Sequence, residues 1–329
     1  MRLVVVAIAF VAGCFPKTYH CTTNADCGAS GTCEPIGFCA YADSSCAGGL
    51  RFGDLSGASS QQCVAQVDAG SDGRPDADLC AIDTDGDGIP DCRDNCPTVA
   101  NPGQENDDGD RFGDVCDPCP PIADDNPPDT DGDGVADACD PRPTTSGDRI
   151  ALFEGFSHGV PASWESNGTW MVVNNDDVRT SATNPPNTLA VASATSTHET
   201  VSTAIVLNSV VGGQINAVGV LDDHQLGTTS SVGCSIYIAN GFTPSPGLSV
   251  FDSQNIAGAM TTAYQMNPGT TYTFQLRRDA TVYSCVVDDG AGGTATVTNT
   301  ITTVRTPYAS GVSVGQADAT VKWLMVVTN

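Results

Sequence analysis

The sequence predicts a mainly β protein in three parts: a disulfide-stapled head, an irregular acidic middle and a C-terminal β-sandwich. Three observations carry that prediction. Fourteen of the 15 cysteines fall into groups of six, six and two along the 329 residues. The middle stretch is dense in Asp and Gly and poor in apolar side chains. From Ile150 onward, short runs with apolar residues at every second position, or filled with them, alternate with turn residues. Helical periodicity is almost absent there.

The N-terminus is an export signal by composition. Met1-Arg2 precedes an unbroken apolar run from Leu3 to Ala12. Such a run is too short to span a bilayer but suits the hydrophobic region of a signal peptide. It ends Val11-Ala12-Gly13-Cys14, which resembles the lipobox of bacterial lipoproteins. That resemblance implies cleavage after Gly13 and lipidation of Cys14. Several acyl chains then hold the protein to a membrane where one is marginal. Phe15, in place of Asp, implies an outer-membrane or cell-surface destination.

Composition narrows the partners. There are 39 acidic against 13 basic residues, a formal charge of −26. Nucleic-acid binding needs cationic groups that displace counterions from phosphates, so it is disfavoured. Attraction to an anionic membrane face is disfavoured for the same reason. Divalent cations are favoured, because the acid is concentrated: Asp68–Asp148 holds 23 of the carboxylates and only Arg74, Arg93, Arg111 and Arg142.

Exported cysteines meet an oxidising compartment and pair. With Cys14 lipidated, the remaining fourteen pair evenly. The first group is Cys21, Cys27, Cys33, Cys39, Cys46 and Cys63. It lies in a head (14–66) too small to fold on apolar burial alone, so crosslinks must hold it. Its connectivity is open, since six cysteines allow fifteen pairings. Zinc is the rival for closely spaced cysteines, but only His20, at the edge, accompanies them.

After a linker (67–79) the chain becomes repetitive over 80–141. Asp83-Thr84-Asp85-Gly86-Asp87-Gly88-Ile89-Pro90-Asp91, then Asp94, follows the Asp-x-Asp-x-Asp-Gly pattern of a calcium loop. Carboxylates at positions 1, 3 and 5 converge on an ion, Gly at 6 permits the turn, and position 7 offers a carbonyl. Acids at 9 and 12 close the shell. The first ligand set is therefore Asp83, Asp85, Asp87, Ile89, Asp91 and Asp94. The second is Asn106, Asp108, Asp110, Phe112, Asp114 and Asp117; the third is Asp129, Asp131, Asp133, Val135, Asp137 and Asp140. Asn106 for Asp, and Arg111 at the glycine position, mark the middle loop as the weakest.

The copies share a frame of 23 residues, from Cys96-Pro97 to Cys119-Pro120 and from Cys116-Asp117 to Cys139-Asp140. With Asp94-Asn95-Cys96-Pro97, Asn101-Pro102 and Gly113-Asp114-Val115-Cys116-Asp117, this register resembles the thrombospondin type 3 repeat. The resemblance implies Cys96–Cys116 and Cys119–Cys139 disulfides and leaves Cys80 for Cys92. A disordered acidic linker does not place Gly and Cys in register, and Pro and Cys stand where the helices of an EF-hand would begin. Hardly any apolar residue lies between Cys80 and Pro141, so Ca2+ takes the place of a core, and a stiff stalk is expected.

A second linker (142–149) leads to the last module (150–329). Expected strands are Leu152–Phe156, Trp170–Val173, Thr188–Ala192, Gln214–Leu221, Cys234–Ile238, Tyr272–Leu276, Thr281–Val287, Gly311–Val314 and Val321–Val327. Many short strands between turns mean a sandwich. Cys234 shares parity with Ile236 and Ile238, and Cys285 with Tyr283 and Val287, which points to an interior Cys234–Cys285 bond. The opening Phe153-Glu154-Gly155-Phe156 through Trp164 and Trp170, and the closing strand with Trp323, resemble concanavalin A-like jelly rolls. That resemblance includes lectins, adhesion modules and glycosidases. Glu154, Glu165 and Glu199 lack the paired spacing of a glycosidase. Asp222-Asp223-His224 and Asp288-Asp289 are expected in exposed loops, and Trp164 and Trp170 in the core.

The sequence thus predicts a non-enzymatic, calcium-binding surface lipoprotein that acts in adhesion or ligand binding, with a glycan or a surface protein as ligand. The alternatives are a jelly-roll carbohydrate hydrolase and a structural envelope spacer.

Overall fold

The computed structural model describes residues 21–64 and 82–329, apart from 22, 29, 35–37, 47–49, 54–55, 57–60, 175, 183–185, 193–195, 197, 212–215, 229, 238–246 and 303–308. The signal segment, Cys14, the linker 67–79 and Cys80 lie outside the described residues. The chain divides into two compact units, 1–81 and 82–329.

In the first unit a 3-10 turn, Asn24–Cys27, precedes three short antiparallel strands: β1 (Gly31–Cys33), β2 (Cys39–Ala42) and β3 (Leu50–Phe52). Disulfides join Cys21 to Cys33, Cys27 to Cys39 and Cys46 to Cys63. The sulfurs of Cys21, Cys27 and Cys39 are themselves the core here. With so little apolar surface, crosslinks do what packing does in larger domains.

The second unit begins with the acidic repeats, which form turns and bends without regular strands over 82–148. The sandwich then follows in chain order: β4 (Arg149–Glu154), β5 (Glu165–Asn167), β6 (Met171–Val173), β7 (Asp177–Ala182) and β8 (Asn187–Ala192). Next come β9 (His198–Val210), β10 (Asn216–Asp222), β11 (Val232–Tyr237), β12 (Gly247–Asp252) and β13 (Asn255–Ala263). The chain closes with β14 (Thr271–Asp279), β15 (Val282–Asp288), β16 (Thr294–Thr300), β17 (Ala309–Val314) and β18 (Ala317–Thr328).

One sheet has the order β13-β12-β11-β10-β17-β8-β5, the other β16-β15-β14-β9-β18-β7-β6, with β4 added to β18. All pairs are antiparallel, as expected of a sandwich built by alternation. Inner residues align in rows across strands: Leu189, Val312, Val220, Cys234 and Val250 face one another in register and are fully buried. Tyr272, Phe274 and Leu276 on β14, with Tyr283, Cys285 and Val287 on β15, meet them from the other sheet. The Cys234–Cys285 disulfide, Cα–Cα 5.3 Å, ties the two sheets from inside. Trp164 is buried and packs edge-on against Phe156 at 5.8 Å, while Trp170 is half-buried against the core.

The run Trp323-Leu324-Met325-Val326-Val327 is apolar on both parities, and the packing explains why. Leu324 and Val326 point into the sandwich. Met325 and Val327, with Trp323, Ile150 and Phe153, form a second cluster with Val135, Ala136, Cys119 and Cys139 of the third repeat. Here the structure differs from the expected separation by a linker at 142–149. The repeats and the sandwich form one compact unit, and Asp148 within that stretch is buried. A strand covered on both faces reads as continuously apolar, and part of the cover comes from the repeats.

Asp222-Asp223-His224, expected in an exposed loop, lies in the interior instead. Asp222, Asp223 and His224 are buried, at 0, 2 and 2 % exposure, at one end of the sandwich. Arg278 reaches Glu199 at 2.9 Å, Asp222 at 3.2 Å and Asp223 at 3.5 Å. Ser310 donates to Glu199 at 2.5 Å, and the Tyr283 hydroxyl donates to Asp223. Burial pushes the Asp222 carboxyl well above its ordinary range, reinforced by Glu199, and burial raises Glu199 too. The sequence showed a turn-like Asp-Asp-His; it could not show the guanidinium 54 positions downstream that allows it inside. Asp288 and Asp289, by contrast, are half-buried, Asp288 at the end of β15 and Asp289 in the turn after it, where Asp289 accepts from the N–H groups of Ala291 and Gly293.

Candidate metal centres

Each aspartate loop winds around its own first carboxylates. In the first, Gly86 and Gly88 take left-handed φ of 81° and 97°, which a side chain resists. Their N–H groups donate to Asp83 at 2.7 and 3.0 Å. The third loop repeats this with Gly132 (φ 78°), Gly134 (φ 97°) and Asp129. As a result Asp83, Asp85 and Asp87 bring one oxygen each to within 4.8 Å of one another, and so do Asp129, Asp131 and Asp133.

The middle loop keeps only half of this. Gly109 at the fourth position has φ 77° and donates to Asn106 at 2.7 Å. Arg111 at the sixth has no left-handed φ; its N–H turns instead to Asp125 at 3.0 Å. Its guanidinium lies over the Phe112 ring at 4.3 Å, a cation–π contact. The convergent oxygens here belong to Asp108, Asp110 and Asp117.

The third and twelfth positions carry the strongest sign of a missing partner. Asp85 Oδ2, Asp94 Oδ2, Asp108 Oδ2, Asp140 Oδ2 and both oxygens of Asp131 are buried with no hydrogen-bond donor. Buried carboxylate oxygens without donors are costly. The donor chemistry, hard oxygen only, fits Ca2+. Burial and mutual repulsion push Asp117 and Asp140 up to about 6, and Asp85, Asp108 and Asp114 upward. Either protons or a cation must relieve this concentration of charge.

At the ninth position, expected to supply a ligand, the carboxylates are hydrogen-bonded within their loops. Asp91 accepts from the Thr84 N–H and hydroxyl, both at 2.7 Å, and Asp137 accepts the same pair from Thr130. Asp114 accepts from the Asp107 N–H at 2.8 Å. These three carboxylates brace the loops and are not among the convergent groups. Ile89, Phe112 and Val135, at the seventh position, are fixed by N–H donation to Asp87, Asp110 and Asp133.

The fifth position links one frame to the next. Asp87 Oδ2 accepts from Asn101 N–H at 2.8 Å, and Asp110 Oδ2 from Asp124 N–H at 3.0 Å. Asp133 Oδ2 accepts from Gly147 and Asp148 at 2.9 and 2.7 Å, which places the head of the sandwich in the same role. The Asp148 carboxyl then joins Asp133 and Asp140 in a further convergent group, steadied by Arg142 at 2.7 Å. Sequence reasoning missed Asp148. Its signal was spacing: 15 residues beyond Asp133, where Asn101 and Asp124 stand 14 beyond Asp87 and Asp110.

Disulfides hold the frames, with Cys96 bonded to Cys116 and Cys119 to Cys139. Cys92 is also disulfide-bonded. The three glutamates weighed for hydrolysis lie on separate strands. Glu154 ends β4, Glu165 on β5 accepts from Gly227 and approaches His224 at 3.5 Å, and Glu199 is held by Arg278.

Residues 67–104 match the family model of the thrombospondin type 3 repeat. No curated protein matches the chain by sequence. Among solved structures, the chain is similar to peanut lectin, solved with a 9mer peptide (13% identity, TM-score 0.43, covering 56% of this chain and 98% of that one). It is also similar to winged bean acidic lectin with methyl-α-D-galactose (8%, 0.44, 55% and 99%). The exoplasmic/lumenal domain of VIP36 in a Ca2+/Man3GlcNAc-bound form is a third (11%, 0.41, 56% and 91%). A GH43 protein, BlXynB of Bacillus licheniformis, is covered over 39% of its length (8%, 0.41). The chain carries a segment that matches the thrombospondin type 3 repeat model, followed by a mainly β sandwich of two antiparallel sheets.

Proposed function

We propose that the protein is a calcium-binding, exported surface protein whose ions order the aspartate repeats and fix them to a ligand-binding sandwich. The observation that carries this is the set of buried, donorless carboxylate oxygens converging in all three loops. Asp83, Asp85, Asp87 and Asp94 serve the first ion; Asn106, Asp108, Asp110 and Asp117 the second; Asp129, Asp131, Asp133 and Asp140 the third. The carbonyls of Ile89, Phe112 and Val135 complete the shells. Asp91, Asp114 and Asp137 hold the loops in shape around them. The middle site is the weakest, because Asn106 brings no charge and Arg111 prevents the second glycine turn.

Anchoring through Cys14 at the outer membrane or cell surface, and a role in adhesion with a carbohydrate ligand, are the finer parts of the proposal. A sandwich with two large sheets supports ligand binding, although fold does not name the ligand. Isothermal calcium titration of the full chain, followed by a glycan array in calcium and in EDTA, tests both parts. Absence of calcium binding defeats the first part; an array without signal defeats the carbohydrate part and leaves the first standing. Retention in the membrane fraction after Cys14→Ser would rule out the lipid anchor.

A further inference from the structure

A cleft of about 580 Å3 lies between the middle aspartate loop and β4. Its size is that of a site for a small ligand or a short segment of chain. One wall is Glu105, Asp114, Val115 and Asp117; the other is the whole stretch Ile150–Gly155. That stretch contains nearly all of β4, which pairs with β18 along one edge. Among the described residues no strand pairs its other edge. An open strand edge offers a row of N–H and C=O groups to an added strand.

The charge of the cleft is one-sided. Glu105, Asp114, Asp117 and Glu154 line it, and among the described residues the sole basic lining group is His158, whose side chain is 79 % exposed and 3.3 Å from Glu105. Glu105 and Glu154 stand outside the proposed calcium shells, so bound ions leave their oxygens unoccupied. Apolar surface is interleaved with the acid: Leu152, Phe153 and Pro161 line the cleft, and Val115 is 55 % exposed.

We propose that this cleft takes an extended segment of a partner protein, basic at alternate residues, as an added strand on the free edge of β4. Strand geometry puts every second side chain on the same side. Lysine or arginine at those positions meets Glu154, with Glu105 on the facing wall, and the intervening apolar residues meet Phe153, on the opposite face of β4 from Leu152 and Glu154. The inference is independent of the carbohydrate proposal. An empty glycan array leaves it intact, and a failed peptide titration leaves the array result intact.

The test is a fluorescence-anisotropy titration of the full chain, saturated with calcium, against a short blocked peptide alternating valine and lysine. The lysine peptide should bind. The same peptide with glutamate for lysine should not. Methylation of alternate backbone nitrogens, which removes the strand donors, should weaken binding about tenfold or more. Combining Glu105→Gln with Glu154→Gln should weaken it to a similar degree, about tenfold. An unchanged calcium-titration enthalpy shows that the variant is folded. Should it not fold, Ala151→Lys, exposed on the same strand, gives a second route to the same loss. No binding, or equal binding of the methylated peptide, or an indifferent double variant, overturns the proposal and leaves only general attraction to an acidic chain.

Discussion

The two halves of residues 82–329 solve the same problem with opposite chemistry. The sandwich buries rows of Val, Leu, Phe and Tyr between two sheets. The repeats bury carboxylates: Asp117 and Asp140 are 7 and 8 % exposed, and several of their neighbours' oxygens have no donor. In the first case water is excluded by apolar area, which needs no partner from solution. In the second, the proposed function makes order depend on an ion that binds the folded form only, so stability should follow its concentration. Sites of this type in extracellular modules have Kd of roughly 0.1–1 mM. At about 1 mM free calcium, a site with Kd near 0.1 mM gains on the order of 1.4 kcal/mol.

The comparison is sharpest where one half is damaged and the other is read. Phe274→Ala empties a fully buried position in the sandwich and should cost about 3–5 kcal/mol. The loss, read by chemical denaturation, should be alike in calcium and in EDTA; a strong dependence on calcium would show that the halves are not separable in energy.

Asp131→Asn should do the reverse. Both of its carboxylate oxygens are buried without donors, so the substitution should remove about one site from a calorimetric titration. Its cost, on the order of 1.4 kcal/mol near 1 mM calcium, should vanish in EDTA. An undiminished stoichiometry would break the assignment.

The junction belongs to both chemistries. Val135 is 1 % exposed and packs with Met325 and Val327, while its carbonyl is a proposed ligand. Val135→Ala removes only side-chain contact and should cost about 1 kcal/mol. It should also weaken the third site by a few-fold, seen as a shift in the last phase of the titration. A loss of stability with an unmoved titration would mean that sandwich and loop are uncoupled.

The smallest effect concerns pH. Asp222 and Glu199 have folded-state pKa values raised by burial. A carboxyl raised on folding binds its proton more tightly in the native state, so its contribution favours the fold at acid pH and is lost as pH rises. In EDTA, sandwich unfolding should grow easier as pH climbs from about 4, the unfolded aspartate value. Asp222→Asn should flatten that slope.

Much of the repeat region was legible because its chemistry is local. Each loop's proposed ligands lie within twelve residues, glycine marks the turns, and the cysteine frame repeats. The strands that were expected, such as Tyr272–Leu276 and Val321–Val327, carry a strong apolar signal. The long strand His198–Val210 was not expected; it is central, flanked by β14 and β18, and made largely of Thr, Ser, Ala and Val. Its burial on both faces over Glu199–Ile205 comes from neighbours, not from its own alternation.

By itself the sequence determined the mainly β character, the spacing of the convergent carboxylates and the parity that puts Cys234 opposite Cys285. Those depend on neighbours in the chain or on the two-residue period of a strand. Only the tertiary structure decided that the repeats lie on the outer face of β18, that Asp148 joins the third loop, and that Asp222, Asp223 and His224 are interior. Each of those rests on a partner far away in sequence, such as Met325, Asp133 or Arg278, and burial is decided by what covers a residue rather than by the residue itself.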